Sequence, residues 1–239
     1  MIDIYAYTAQ GGRAYNEDSV GYAYTPYGAV AVAADGLGGH MGGDVASKLV
    51  TDALLAEPLD DCKNDKEWLK KRLDTANQMI LDGQAQRANK MKSTVAALKI
   101  SGTKATWAHL GDSRLYYLTG GRIACVTEDH SVAYKKYKAG EITRAQIATD
   151  EDQSSLLRSL GVPEKRKPDF GETTSLLTAG DAFLLCTDGF WENIQDQEIL
   201  FDYLKAANAQ TWAELLLLRV IERMDSGNDN LSVITVLIR

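Results

Sequence analysis

The stretch VAVAADGLGGHMGGD, Val30 to Asp44, sets a short apolar run directly against Asp35, followed by glycines at 36, 38, 39, 42 and 43 and by His40. The apolar run, which begins at Ala29, reads as a buried strand. A turn after it would need only one or two glycines. The excess says that something must approach the backbone closely here, because a missing side chain makes room.

The same juxtaposition recurs along the chain. RAYNED (Arg13–Asp18) precedes a strand pattern, HLGDSR (His109–Arg114) joins two, LLCTDGF (Leu184–Phe190) ends one, and GNDNLSV (Gly227–Val233) opens the last. Each segment places an aspartate where an apolar strand meets a loop: Asp18, Asp35, Asp112, Asp188 and Asp229. Taken singly, Asp-Gly at 35–36 or 188–189 is an ordinary turn dipeptide. Together, carboxylates beside buried strands are costly unless something pairs with them. Hard divalent cations, Mg²⁺ or Mn²⁺, are the natural partners for such oxygens. Three histidines and three scattered cysteines give poor support to a zinc site, and no segment fits an EF-hand loop.

Composition sets the frame. The chain has 239 residues, 45% hydrophobic and 25% charged, with net charge −7. That suits one soluble domain spanning 1–239 and argues against a nucleic-acid partner, which would call for a basic face. No apolar stretch approaches the ~20 residues of a membrane helix. The N-terminus lacks the pattern of a signal peptide, and Cys62, Cys125 and Cys186 suit reduced thiols, so a cytoplasmic, membrane-free location is expected.

Strand patterns occupy Ile2–Thr8, Val20–Tyr24, Ala29–Ala34, Thr94–Ile100, Ala105–Leu110, Arg114–Leu118, Arg122–Val126, Thr173–Leu177, Ala182–Cys186 and Leu231–Ile238. LTGGR (Leu118–Arg122) reads as a hairpin. Helical patterns cover Val45–Glu57 and Asp65–Arg87, and a capping box at Thr211–Glu214 opens a helix to about Met224. Runs of strands with pairs of helices between them predict an α+β fold, two sheets with helices packed outside.

Arg13-x-x-Asn16-Glu17-Asp18, Asp35-Gly36-x-Gly38-Gly39-His40, Ser93-Thr94, Gly111-Asp112-Ser113-Arg114, Thr127-x-Asp129-His130-Ser131, Thr187-Asp188-Gly189 and Asp229-Asn230 follow one another in a set order. In that order the chain resembles the metal-dependent protein phosphatase 2C family, above all the short bacterial serine/threonine phosphatases. The resemblance runs from the first strand to the last. It implies a central β-sandwich of two mostly antiparallel sheets flanked by helix pairs, consistent with the α+β pattern, and a binuclear Mn²⁺ or Mg²⁺ centre, with a third ion in bacterial members. Asp35 would bridge two ions, the Gly36 carbonyl would ligate one, and Asp188 and Asp229 the other. Asp18, with Glu17, would act through coordinated water, and Asp112 with Asp188 would hold the third ion.

The activity implied is hydrolysis of phosphoserine and phosphothreonine by a water shared between two ions. Arg13 would hold the phosphate oxygens through its planar fork. His40 would protonate the departing alkoxide. His130 would order the loop holding Asp129, and His109 would pack. The partners implied are phosphorylated proteins and a cognate serine/threonine kinase, with the enzyme a monomer. Residues 131–161 would form a flap beside the site. There ATDEDQSSLLRSLG (Ala148–Gly161) lacks the His-Pro and Asn often found before Leu-x-Arg-x-Leu-Gly, which leaves substrate preference open.

Cysteine-dependent phosphatase chemistry needs Cys followed six positions later by Arg. Trp68, Ser131 and Glu192 stand there instead. The alternative is a phosphatase-like binding module without turnover. Such relatives lose metal aspartates, and all the matching positions are kept here.

Overall fold

The computed structural model describes every residue except 39–41, 58–63, 88, 164–166 and 226. Strands β1 (Ile2–Ala9), β2 (Asp18–Thr25) and β3 (Gly28–Leu37) lead into helices α1 (Gly43–Leu55) and α2 (Asp65–Arg87). Strands β4 (Lys92–Ser93), β5 (Val95–Ser101), β6 (Lys104–Leu110), β7 (Arg114–Thr119) and β8 (Arg122–Val126) come next. Helix α3 (Val132–Lys138), a 3-10 turn at Arg144–Thr149 and β9 (Asp169–Glu172) follow. The chain continues with β10 (Ala182–Cys186), α4 (Asp188–Trp191), α5 (Asp196–Lys205), α6 (Ala209–Arg223) and β11 (Leu231–Ile238).

One sheet runs β1-β11-β10-β7-β8 and the other β2-β3-β5-β6-β9, with β4 paired to β3. Every pairing between these strands is antiparallel. Side chains alternate across each strand. Ala29, Ala31 and Ala33 of β3 face the other sheet, where they meet Leu185, Ile234 and Val236 in the middle core. Val30, Val32 and Ala34 face outward onto Val50 of α1 and Leu69 and Leu73 of α2. The second sheet repeats the scheme: Phe183 and Leu185 point inward, while Leu184 and Cys186 meet Ile199 of α5 and Trp212 and Leu216 of α6. The layers are therefore helix pair, sheet, sheet, helix pair. The central strands read as unbroken apolar runs because both of their faces are buried.

The hairpin at Leu118–Arg122 forms as expected, with Gly120 at φ 58° and Gly121 at φ 70°, the left-handed pair that a tight two-residue hairpin turn requires. Other expectations shift. Thr173–Leu177 is not a strand; the strand lies just upstream at Asp169–Glu172, paired to β6. Thr173 and Leu177 instead donate single backbone bonds to Ala105 and Thr103 (2.9 and 2.7 Å), which holds the segment without continuing the ladder. The last helix opens at Asn208, whose side chain accepts from the Thr211 amide at 2.7 Å, so Thr211 lies inside the first turn and not at the cap. Helix α5, absent from the sequence reading, is capped by Gln195 and Glu198 acting reciprocally. Within residues 131–161 lie α3 and the 3-10 turn, neither of which the sequence patterns place.

Phe183 is fully buried between the sheets and stacks on Tyr117 with ring centroids 4.9 Å apart. Phe183→Ala is expected to lower the unfolding free energy by about 3–5 kcal/mol. Urea unfolding of the two proteins checks this, with the slope of the transition unchanged.

Candidate metal centre

The opposed ends of the strands bring the aspartates together. Asp18 and Asp35 face each other in the β2–β3 register. Like charges directly opposite destabilise a strand pair, so their retention here needs a reason. Asp35 is locked by its backbone: its amide donates to Thr94 Oγ1 (2.9 Å), and its carbonyl accepts from the Thr94 amide (2.9 Å) and Ser93 Oγ (3.0 Å). Thr94 Oγ1 in turn meets Ser113 Oγ at 2.7 Å, beside Asp112. The Asp112 carbonyl accepts from Trp191 Nε1 at 2.9 Å.

The other sheet supplies the rest. Asp18 Oδ2 accepts from Thr187 Oγ1 (2.8 Å) and Ser232 Oγ (2.7 Å), so this one carboxylate ties β2 to the ends of β10 and β11. Asp188 opens α4, and Asp229 stands two residues before β11. Gly189 lets these two turns meet; a Cβ there would lie 2.2 Å from the Asn230 carbonyl oxygen. Asn230 pins the neighbouring loop: its Oδ1 accepts from the Glu17 amide (2.8 Å), and its Nδ2 donates to the carbonyls of Gln10 (2.7 Å) and Tyr15 (2.8 Å). That loop carries Arg13, more than half exposed, whose Nη2 donates to Asp229 Oδ2 at 2.6 Å. Arg13 thus pairs with neither Glu17 nor Asp18.

Burial, and then charge repulsion, raises Asp18, Asp35, Asp112, Asp188 and the adjoining Glu192. Asp35 is held well above the usual carboxylate range by burial and by Asp188, Asp18 and Asp112. Asp112 is likewise held well above it, by burial and then by Asp188. Burial lifts Asp18 to about 7 and Asp188 to about 6, with neighbouring carboxylates adding to both. Glu192 is lifted to about 8 by burial, then by Asp188 and Asp229.

The residues fit a pair of hard cations. Asp18 Oδ1 and Asp112 Oδ1 are buried acceptors with no donor among the described residues. The backbone offers a cradle: a Cβ on Gly43 would lie 2.5 Å from the Gly36 carbonyl oxygen and 2.6 Å from Glu17 Oε1, so both oxygens face one spot. The glycines also serve the fold. A Cβ on Gly36 would lie 2.0 Å from the Gly43 carbonyl oxygen, so the missing side chains admit the returning chain itself as well as opening a place for a ligand. A second gathering of potential ligand atoms lies apart, with His109, His130 and Asp169 within 4.8 Å of one another. Both nitrogens of His130 and Nε2 of His109 are already engaged. His130 Nδ1 accepts from the Gly111 amide (3.1 Å), His109 Nε2 meets the Glu128 carbonyl (2.9 Å), and the Arg158 guanidinium lies 3.0 Å from His130 Nε2. The aspartates spread more widely than this trio, as suits ions that keep several waters.

Of the sequence candidates, Asp18, Asp35, Gly36, Asp112, Asp188 and Asp229 therefore lie in one cluster with Arg13 on its rim. His40 lies outside the described residues. His130 orders the Gly111 loop, while Asp129 is held by Arg114 through a two-point fork at 2.7 and 2.8 Å. His109 packs as expected, stacked on His130 at 4.7 Å. Asn230, Thr187, Ser232 and Trp191 were not singled out. Asn230 and Thr187 stood inside noted motifs and Ser232 inside a quoted segment, whereas no local signal marks Trp191.

The family model for protein phosphatase 2C matches residues 9–215. The chain belongs to the protein phosphatase 2C family. It is 33% identical over 193 residues to the protein phosphatase PhpP of Streptococcus pneumoniae, covering 78% of each chain. It also resembles the crystal structure of the Mycobacterium tuberculosis serine/threonine phosphatase PstP/Ppp, with TM-score 0.85, 29% identity, and coverage of 100% of this chain and 99% of that one. A structure of the PstP catalytic domain with two manganese ions matches at TM-score 0.85 and 29% identity, covering 99% and 97%. The expected α+β sandwich is the family's fold.

Two measurements test the cluster. Asp35→Asn removes one of the repelling charges, so the metal-free variant is expected to melt higher than wild type, by about 2–4 °C per kcal/mol of repulsion relieved. The same variant should lose most of the stabilisation that Mn²⁺ gives wild type; a lower metal-free melting point would contradict the repulsion. The pH dependence has a fixed sign. Asp18 and Asp188 are raised from an ordinary 3.8 to about 7 and about 6, so the folded metal-free protein holds protons more tightly than the unfolded chain. That contribution is complete below the ordinary value and is lost as pH rises through 6 to 7. Metal-free protein should unfold at lower urea at pH 8 than at pH 5, and excess Mn²⁺ should reverse the order.

Proposed function

We propose that this chain, as one catalytic unit over residues 1–239, is a metal-dependent serine/threonine protein phosphatase whose ions sit among Asp18, Asp35, Gly36, Asp112, Asp188 and Asp229. The observation that carries this reading is the convergence of carboxylates from both sheets with two buried oxygens left without donors. Membership of the family supplies the reaction class. When bound, two divalent ions, Mn²⁺ or Mg²⁺, activate a water and screen the phosphate's charge. A third ion is assigned to Asp112 with Asp188.

The chain's own groups do the remainder. Arg13 presents its N–H fork at the rim, held in place by Asp229 and by the loop that Asn230 fixes. Such a fork matches two oxygens of a phosphate and resists its rotation. Ser93 and Thr94 keep Asp35 from turning away, and Trp191 does the same for Asp112. The departing serine or threonine oxygen needs a proton, and delivery is assigned to His40. The substrates are phosphorylated proteins, and a cognate serine/threonine kinase is the opposing partner. No described helix is long and apolar enough to cross a membrane. Cys125 and Cys186 stay unpaired. Both facts suit a monomeric cytoplasmic signalling enzyme.

Wild-type protein should release phosphate from a phosphothreonine peptide with Mn²⁺ and not after chelation, and should spare a phosphotyrosine control. Arg13→Ala should raise KM by roughly 10–100-fold, the loss of one or two charge-assisted bonds. A folded, Mn²⁺-binding wild-type protein with no turnover would instead select the binding-module alternative.

A further inference from the structure

Beside the metal centre lies a separate cavity of about 620 Å³, walled by the 3-10 turn, the α4–α5 connection and the end of α6. Arg114, Arg144 and Arg223 all line it, against Glu192 and Asp196. Three guanidinium groups thus gather at one cavity in a chain of net charge −7. It shares a wall with the site: Trp191 lines the cavity and donates its indole N–H to the Asp112 carbonyl.

The three arginines are not equally engaged. Arg114 spends its fork on Asp129 and lies over the Trp191 ring at 3.4 Å. Arg223 spends both terminal nitrogens on Glu198 and the Asn193 carbonyl. Arg144 differs: only its Nε is bonded, to Asp196 Oδ2 at 2.9 Å, while its buried Nη2 has no acceptor among the described residues. A buried guanidinium N–H without an acceptor is costly. Arg144 Nη1 also has no hydrogen bond among the described residues and is not enclosed, so it is the donor that an anionic oxygen in the cavity can reach through a charge-assisted bond.

We infer that this cavity is a subsite for a second acidic group of the substrate protein, a carboxylate or a further phosphate near the scissile one, gripped by Arg144. The inference rests on the phosphatase reading above and adds a preference to it. Arg144 sits outside the metal cluster, so it selects the sequence around the phosphothreonine and takes no part in the chemistry. Asp196 competes with the ligand for the same guanidinium and sets the strength of the grip.

The test uses three phosphothreonine peptides: a neutral one, one with flanking glutamates, and one with a neighbouring phosphoserine. Wild type with Mn²⁺ should favour the acidic peptides over the neutral one in kcat/KM by about tenfold, through KM. The two acidic peptides tell carboxylate from phosphate as the preferred source. Arg144→Gln should bring the ratio of acidic to neutral close to one. Asp196→Asn should move it the other way, which guards against a trivial loss through misfolding. A wild-type ratio near one, or a ratio unmoved by both variants, overturns the subsite while leaving the phosphatase intact. If no peptide is hydrolysed, the phosphatase reading has failed, and fluorescence anisotropy of the labelled glutamate peptide still decides. Wild type should then bind it more tightly than Arg144→Gln, and equal binding refutes the subsite.

Discussion

The structure turns on the mutual repulsion of aspartates held within reach of one another at one edge of a β-sandwich. Left in water, these side chains would separate. Here Asp18 and Asp35 are fixed opposite each other by strand register, and Asp18 is bonded across to Thr187 and Ser232 of the other sheet. Burial and the neighbouring carboxylates raise the pKa values of Asp18, Asp35, Asp112 and Asp188, so keeping them charged there is costly. A doubly charged ion reverses the sign of that cost, so the arrangement that weakens the metal-free fold is the one that makes cation binding favourable.

Holding such a cluster needs a stiff frame. Each central strand is apolar on both faces, one packed against the partner sheet and the other against a helix pair. Strands anchored in this way end at fixed positions, and the acidic residues at their ends inherit that precision. The turns around them are tied by neutral donors and acceptors, Ser93, Thr94, Ser113 and Asn230, which hold position without adding charge. Positive charge is kept to the margin. Arg13 stands on one side, paired only with the outermost carboxylate, Asp229, and the arginine-lined cavity stands on the other.

The region after β8 joins the frame more firmly than its polar composition suggests. Leu160 exchanges backbone bonds with Ser93, next to Asp35. Asn77 and Gln84 of α2 clamp Gly161 from the other side. This segment is thus tied directly to the short strand β4, whose Ser93 bonds the Asp35 carbonyl.

Much of this could be read from the chain alone. An apolar run that stops at an acid is a local pattern, and its repetition at Asp18, Asp35, Asp112, Asp188 and Asp229 in a fixed order identified the family, the sandwich and the candidate ligands. Strand and helix periodicity likewise placed most elements to within a few residues, since alternating burial leaves a trace in sequence. What stayed hidden depends on neighbours distant along the chain. The strand at Asp169–Glu172 is decided by its pairing with β6, and the cap at Asn208 by which amide its side chain reaches. The hold of Trp191 on Asp112, the pairing of Arg13 with Asp229 and the spare N–H of Arg144 are also contacts between remote segments. Sequence fixes which groups a chain owns and how they repeat; only packing in three dimensions decides which of them are left without a partner, and a missing partner is what defines a binding site.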